Sequence, residues 1–284
     1  MGEFGYASLV SAVNRLRAQA LFFHARVIGR SLCGRGLFAL RFGGSGGALI
    51  AAGLDAGDGE AGAALLGWAE GVCRCAAEGT PFCGVDLSRA LSFSGVTVLP
   101  WLNPDGLEIV RSGAKGAGTL RQFTQSLLRE ETPWRAGAAG LRLDRQFPCG
   151  FEEVRERQLF SGADAPAADG FFGTTPFSSP ETAALARFCR SERFSRLLML
   201  GVGEGLLSFF PAGEAPAERE TVLGLKMLAA SAGVPFVLPA AAERAGTFPA
   251  WFAETLNADA FALTLERGGF DRRLEDALTL FAVM

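Results

Sequence analysis

Imidazole is the scarcest reactive group in the chain, because His24 is its single histidine. A zinc site with two histidine ligands is therefore excluded, as is a serine–histidine–aspartate relay with a histidine to spare. Carboxylates are better placed. Asp55, Asp58, Glu204 and Glu266 each closely follow or end a short apolar run that reads as a buried strand. In open α/β sheets ligands sit beyond the carboxyl ends of the strands, so these four side chains could share one cleft, with Asn103–Gly106 and Gly201–Glu204 at its rim. Strand-end carboxylates serve equally as loop caps and solvated charges. Cys73, Cys75 and Cys83 lie close enough in sequence to suggest a metal clip, but their C-x-C-x7-C spacing matches no standard zinc pattern. Buried thiols account for them as well.

Holding such groups in place requires a sheet and helices to cover it. Val10, Val13, Leu16 and Ala20, interleaved with Ser8, Asn14 and Arg17, read as an amphipathic helix. The apolar runs Leu37–Phe42 and Ala48–Gly53, separated by Gly43-Gly44-Ser45-Gly46-Gly47, predict a hairpin. A helix is expected from about Glu60 to Ala77, and a buried strand at Val96–Leu99, stopped by Pro100. Ser112–Gly140 and Ser161–Pro176 read as loops, the first with short helices. The second half alternates regularly. Helices are expected at Glu181–Cys189, Glu218–Ala230 and Phe248–Leu256, strands at Leu197–Gly201, Pro235–Leu238 and Phe261–Glu266, and a final helix from about Arg272. This alternation predicts a single α/β domain over residues 1–284: a mixed, largely parallel sheet with helices on both faces.

Composition fits that expectation and narrows the partners. Hydrophobic residues make up 49% of the 284 and charged residues 20%, enough for a packed core and too apolar for disorder. Lys+Arg 27 against Asp+Glu 30 gives a net charge of −3. No basic surplus exists to neutralise phosphates, so nucleic acid is not an expected partner. No uncharged apolar stretch is long enough for a membrane span. Residues 1–30 lack the basic head, apolar stretch and cleavage site of a secretory signal, so the six cysteines are expected as reduced thiols in a cytoplasmic protein.

Five blocks then resemble one family. Ile28-Gly29-Arg30-Ser31, Gly34-Arg35 and Leu37-Phe38-Ala39-Leu40 resemble the "IGxSxxGRxIxAL" opening of zinc metallocarboxypeptidases. Pro100-Trp101-Leu102-Asn103-Pro104-Asp105-Gly106 is similar to that family's "PxxNPDG" turn, and Gly140–Pro148 to its "GVDLNRNFP" segment. Phe177–Thr182 resembles "PFSEPET", and Phe261–Glu266 the "TIE" strand that ends in the catalytic glutamate. The order and spacing hold over nearly the whole chain. Within that family the chain resembles the bacterial branch of γ-D-glutamyl-diamino acid peptidases, which act on cell-wall stem peptides. The resemblance implies a zinc carboxypeptidase-like fold.

It also locates the family's zinc ligands, an HxxE pair and a later histidine. Asp55 stands at the first position, Asp58 at the second and Gly201 at the third, so all three differ. Zinc favours nitrogen and sulfur donors. Two aspartates suit a hard divalent cation such as Mg²⁺ or Ca²⁺ better, with Glu204 or Glu266 adding a carboxylate. No zinc is expected here. Without a Lewis acid, Glu266 at the family's general-base position supplies only about 10²–10⁴-fold, too little for peptide hydrolysis. Arg145 matches the arginine that grips a substrate carboxylate, although it could instead pair with Asp144 or Glu152. Asp144 replaces the partner asparagine and would repel an anionic terminus unless Arg142 or Arg145 neutralises it. Arg111, Lys115 and Arg121 are open alternatives for the oxyanion arginine, and the closing tyrosine of animal members has no match, Ala242 lying near its place. The expected function is a carboxypeptidase-fold protein without peptidase activity that binds a peptide or cell-wall stem peptide. The alternatives are a hydrolase with an atypical carboxylate site and a scaffold for an active homologue.

Overall fold

Alternation along the run Gly47–Ala52 sets the layering. In the computed structural model, which describes residues 5–19, 23–92, 94–213 and 220–284, Ala48, Ile50 and Ala52 pack into one core cluster, Leu49 and Ala51 into another. A strand sends successive side chains to opposite faces, so a run that is apolar throughout has to be covered twice. The strands are β1 (Phe23–Arg30), β2 (Gly36–Phe42), β3 (Gly47–Ala52), β4 (Val96–Leu99), β5 (Phe194–Val202), β6 (Leu206–Phe210), β7 (Phe236–Val237) and β8 (Asp259–Leu265). They form one eight-stranded sheet in the order β1-β2-β4-β3-β5-β8-β6-β7. The central strands β4, β3, β5 and β8 run parallel. Antiparallel pairings join β1 to β2, β2 to β4 and β6 to β8. The sheet is therefore mixed with a parallel centre.

The helices are α1 (Tyr6–Gln19), α2 (Gly59–Glu78), α3 (Leu87–Ala90), α4 (Pro104–Ser112), α5 (Arg121–Leu127), α6 (Phe151–Phe160), α7 (Pro180–Ser191), α8 (Glu220–Ala232), α9 (Ala241–Arg244), α10 (Phe248–Leu256) and α11 (Arg272–Val283). Buried residues of α1, α2, α8 and α11 share the cluster that holds Ile50. Those of α7 and α10 share the cluster that holds Leu49. Ser161–Pro176 carries no helix or strand, as expected. Expected positions Ala20 and Glu218 lie outside the described residues.

One expectation fails. The predicted hairpin between Leu37–Phe42 and Ala48–Gly53 does not form, because β4 lies between the two strands, with Val98 opposite Leu40 on one side and Ile50 on the other. The intervening glycines serve close approach. A Cβ at Gly43 would lie 2.0 Å from the Leu91 carbonyl oxygen, and one at Gly47 2.0 Å from that of Gly95. Both also take positive φ, +75° and +74°, which glycine adopts at little cost. The hairpin present joins β1 to β2. The parallel strands β3, β4, β5 and β8 all end at one edge of the sheet, and the segments that follow them form the candidate site.

Candidate functional site

The loop after β3 turns through Gly53 (φ +73°) and enters α2 at Gly59, which brings Asp55 and Asp58 to the same edge. The Asp58 N–H donates to the Asp55 carbonyl at 3.1 Å, closing the turn. Each carboxylate is buried, and each is committed. Asp55 Oδ1 accepts the Gly57 N–H at 2.8 Å. Asp55 Oδ2 accepts Arg135 Nε at 2.7 Å and Arg142 Nη2 at 3.1 Å, and a second nitrogen of Arg135 also reaches it. Asp58 does not cap α2 with its side chain; its Oδ1 accepts the Val202 N–H at 2.8 Å, tying α2 to the end of β5. Burial pushes the Asp58 carboxyl up to about 7, reinforced by Asp55 and Asp144 and opposed by the Val202 hydrogen bond.

Two clefts meet at Arg135. One, of about 940 Å³, is lined by the carboxylates Asp55, Asp58 and Glu60 and by apolar residues that include Leu107, Leu128 and Trp134. The second, of about 580 Å³, is lined by Arg135, Arg142, Asp144, Arg145, Arg157 and Phe172 among others. Arg142 is the hub of the charge network. Its Nε and Nη2 donate to the two oxygens of Asp144 at 2.9 and 2.5 Å, and its Nη1 to Asp169 at 2.6 Å. Burial favours the neutral guanidine, but Asp144, Asp55 and Asp169 outweigh it and hold Arg142 above its ordinary range. Burial likewise pushes Asp144 up, but Arg142, with Arg145 and Arg135, holds its carboxyl below the usual carboxylate range. The fork-to-carboxylate geometry is the strong bidentate kind.

Asp55, Asp58 and Gly201 converge. A Cβ at Gly201 would lie 3.4 Å from Asp58 Oδ2. The other two carboxylates do not join them. Glu204, in the turn from β5 to β6, and Glu266, just after β8, are exposed, and neither lines the cleft of Asp55 and Asp58. Glu60 takes a place there instead, accepting the Gly268 N–H at 2.9 Å. Arg145 pairs with neither Asp144 nor Glu152. Its Nη1 donates to the carbonyls of Ala245 and Ala242 at 2.9 and 3.3 Å, and burial, then Arg157 and Arg142, lower its pKa against the pull of Asp144. Of the three arginine and lysine alternatives, Arg111 lines the larger cleft and bonds Glu108 at 3.0 Å, whereas Lys115 and Arg121 are exposed and line neither. Arg135 joins Arg142 at Asp55, and no motif in the sequence marks it. The available signal is Trp134 before it, a large aromatic at the head of the small-residue run Ala136-Gly137-Ala138-Ala139-Gly140. That indole is buried and bonds the Ala136 carbonyl at 2.7 Å, which pins Arg135 in place.

These donors do not fit zinc. A dication at Asp55 would have to displace two guanidinium contacts, Asp58 has already lent one oxygen to a backbone N–H, and Gly201 has no side chain. Hard cations take six or more oxygens. Among the described residues, no group of three or more His, Cys, Asp or Glu side chains is placed to hold a metal ion. Cys73, Cys75 and Cys83 form no such group, and all six thiols are free.

A parallel-centred mixed sheet with a charged cleft beyond its strand ends is the architecture of a carboxypeptidase-like α/β protein. The zinc carboxypeptidase family pattern matches residues 21–234, and the chain belongs to that family. It is 28% identical over 209 residues to the uncharacterized protein YqgT of Bacillus subtilis, covering 71% of this chain and 54% of that one. It is 22% identical over 143 residues to gamma-D-glutamyl-L-diamino acid endopeptidase 1 of Lysinibacillus sphaericus, covering 49% of this chain and 35% of the relative. The chain thus matches about half, or less, of these relatives' length. Among solved structures it superposes on carboxypeptidase A from Helicoverpa armigera with a TM-score of 0.68 at 16% identity, covering 98% of this chain and 72% of the other. Murein-tripeptide amidase MpaA from Escherichia coli O157 superposes with a TM-score of 0.53 at 20% identity, covering 94% of each. The superpositions establish the fold.

Proposed function

We propose that this member of the zinc carboxypeptidase family is a peptide-binding protein that does not work as a zinc peptidase. The observation that carries this reading is the state of Asp55, whose Oδ2 is held by Arg135 and Arg142 at the family's first zinc-ligand position. Positive charge at that point comes from guanidinium groups fixed by the fold, which orient a polar group but do not lower the pKa of a water as a metal does. Glu266, exposed and outside the cleft, is vestigial on this reading.

The recognition half of the site is retained in altered form. Arg145 is the residue for a substrate carboxylate. Asp144, fully engaged by Arg142, no longer repels an anionic terminus. Cell-wall stem peptides are the ligand class that the endopeptidase relative and the murein-tripeptide amidase neighbour support. The test is turnover of γ-D-glutamyl-diaminopimelate peptides in excess Zn²⁺. None is expected; metal-dependent turnover that disappears in Glu266→Gln would overturn the proposal.

A further inference from the structure

We infer that the small cavity between α7 and strands β1, β2 and β4 is a site for the phosphate group of a small soluble ligand. It is independent of the peptide-binding reading, because none of the residues that line it lines either cleft beyond the strand ends.

The register of the sheet builds this site. His24 on β1 lies opposite Arg41 on β2, and Arg41 lies opposite Thr97 on β4. Neighbouring strands are about 4.8 Å apart, so the three side chains form one polar row across one face. Thr97 is the polar residue of the buried run Val96–Leu99. Arg26, two residues from His24, shares that face. Ala39 and Phe188 of α7 add apolar lining, with the Arg26 guanidinium over the Phe188 ring at 4.8 Å.

Two features of the row are left unexplained by the fold alone. Thr97 is 1% exposed, yet its hydroxyl has no hydrogen-bond partner among the described residues. A buried hydroxyl left unpaired is costly, and such groups are normally met by protein or by something bound. The second feature is charge. Arg26 Nη2 and Arg41 Nη2 donate to opposite oxygens of one carboxylate, Glu192, just past the end of α7. That carboxylate fixes both guanidinium groups and balances only one of them. Their other N–H groups have no acceptor among the described residues, and His24 offers an N–H in either tautomer. Arg26 is half exposed and Arg41 is 23% exposed, so a small ligand can reach the pair from solvent.

These donors dictate the ligand. Two guanidinium forks, an imidazole and a hydroxyl come from three strands, more directions than the two oxygens of a carboxylate serve. A tetrahedral oxyanion offers acceptors to all of them. The volume, about 130 Å³, is below the ~300–1,000 Å³ that holds a drug-sized molecule and several times the ~30 Å³ share of one water. It suits a group of a few heavy atoms. With a net charge of −3 the chain has no long-range field to hold a polyanion. The occupant is therefore inorganic phosphate or the phosphate of a small monoester.

His24 is the single histidine, so its imidazole gives one set of ring-proton signals in the NMR spectrum of the full chain. The experiment titrates that signal at fixed pH and ionic strength with inorganic phosphate, glycerol phosphate and acetate in turn. Phosphate is expected to shift it saturably with a Kd of about 1 mM or tighter, and acetate to bind about tenfold more weakly. Thr97→Val keeps the shape without the hydroxyl and is expected to weaken phosphate about threefold or more. Arg41→Gln is expected to weaken it about tenfold or more. Glycerol phosphate that binds as tightly as phosphate, or tighter, assigns the site to a monoester; its exclusion assigns the site to free phosphate. No saturable shift in the wild type overturns the inference, as does equal binding of acetate and phosphate. Phosphate affinity unchanged in Thr97→Val and Arg41→Gln, both folded by circular dichroism, overturns it too. Should Arg41→Gln not fold, the wild-type titration and Thr97→Val decide.

Discussion

At the scale of single residues, Asp55 and Asp58 are neighbours with opposite electrostatics. Asp55 is a buried anion whose charge is met by two cations, and removing one member of such a group leaves the others unpaired. Asp55→Ala is therefore expected to lower stability by about 2–4 kcal/mol, measured by denaturant unfolding; a loss under about 1 kcal/mol would mean that the bridge is loose. Asp58 is buried with a backbone donor as its direct partner, and its carboxyl is pushed up to about 7. A carboxyl raised on folding binds its proton more tightly in the native state. Its contribution to stability is complete below the ordinary carboxylate pKa and is lost as pH rises through 7. Asp58→Asn keeps an oxygen for the Val202 N–H and cannot ionise. The melting temperature of the wild type should accordingly fall by several degrees relative to Asp58→Asn between about pH 5 and about pH 8. A pH-independent difference between the two contradicts this. Asp144 has the opposite sign: held below the usual range, it loses its contribution on acidification.

At the scale of elements, the turn before α4 holds the site together. Asn103 caps α4 by accepting the Gly106 N–H at 2.9 Å, and its amide donates to the Leu54 carbonyl at 3.2 Å, one residue before Asp55. One buried side chain therefore joins the ends of β3 and β4. Asn103→Ala should cost about 1–2 kcal/mol for the cap, and amide exchange in residues 53–58 should accelerate, because their tether is cut. Unchanged exchange there would show that the loop holds by itself. Elements were unevenly legible in the sequence. Helix α10 and strand β4 follow from local period and capping alone, with Thr247 capping the one and Pro100 stopping the other. The hairpin misreading came from pairing, which period does not encode. Two apolar runs flanking a glycine-rich segment look the same whether they pair with each other or admit a third strand between them. Strand β1 does not stand out as an apolar run, because FHARVIGR carries His24, Arg26 and Arg30, as suits a sheet edge.

At the scale of the whole molecule, the family motifs carried the fold, and the fold brings Asp55 and Asp58 into one cleft with Gly201 beside Asp58. The guanidinium groups that meet Asp55 were not legible. Arg135 meets Asp55 across 80 positions of sequence and Arg142 across 87, and no local pattern announces a contact that the sheet topology creates. The same holds for Glu204 and Glu266, which follow β5 and β8 of one sheet yet stay outside the cleft. The central claim, that fixed guanidinium groups have taken the place of a divalent ion, is tested most directly by metal content. The protein, purified without chelator, is equilibrated in turn with Zn²⁺, Mg²⁺, Mn²⁺ and Ca²⁺ and weighed by native mass spectrometry. The expected result is no stoichiometric metal under any condition. One tightly held ion per chain, lost when Asp55 and Asp58 are both changed to alanine, would contradict it.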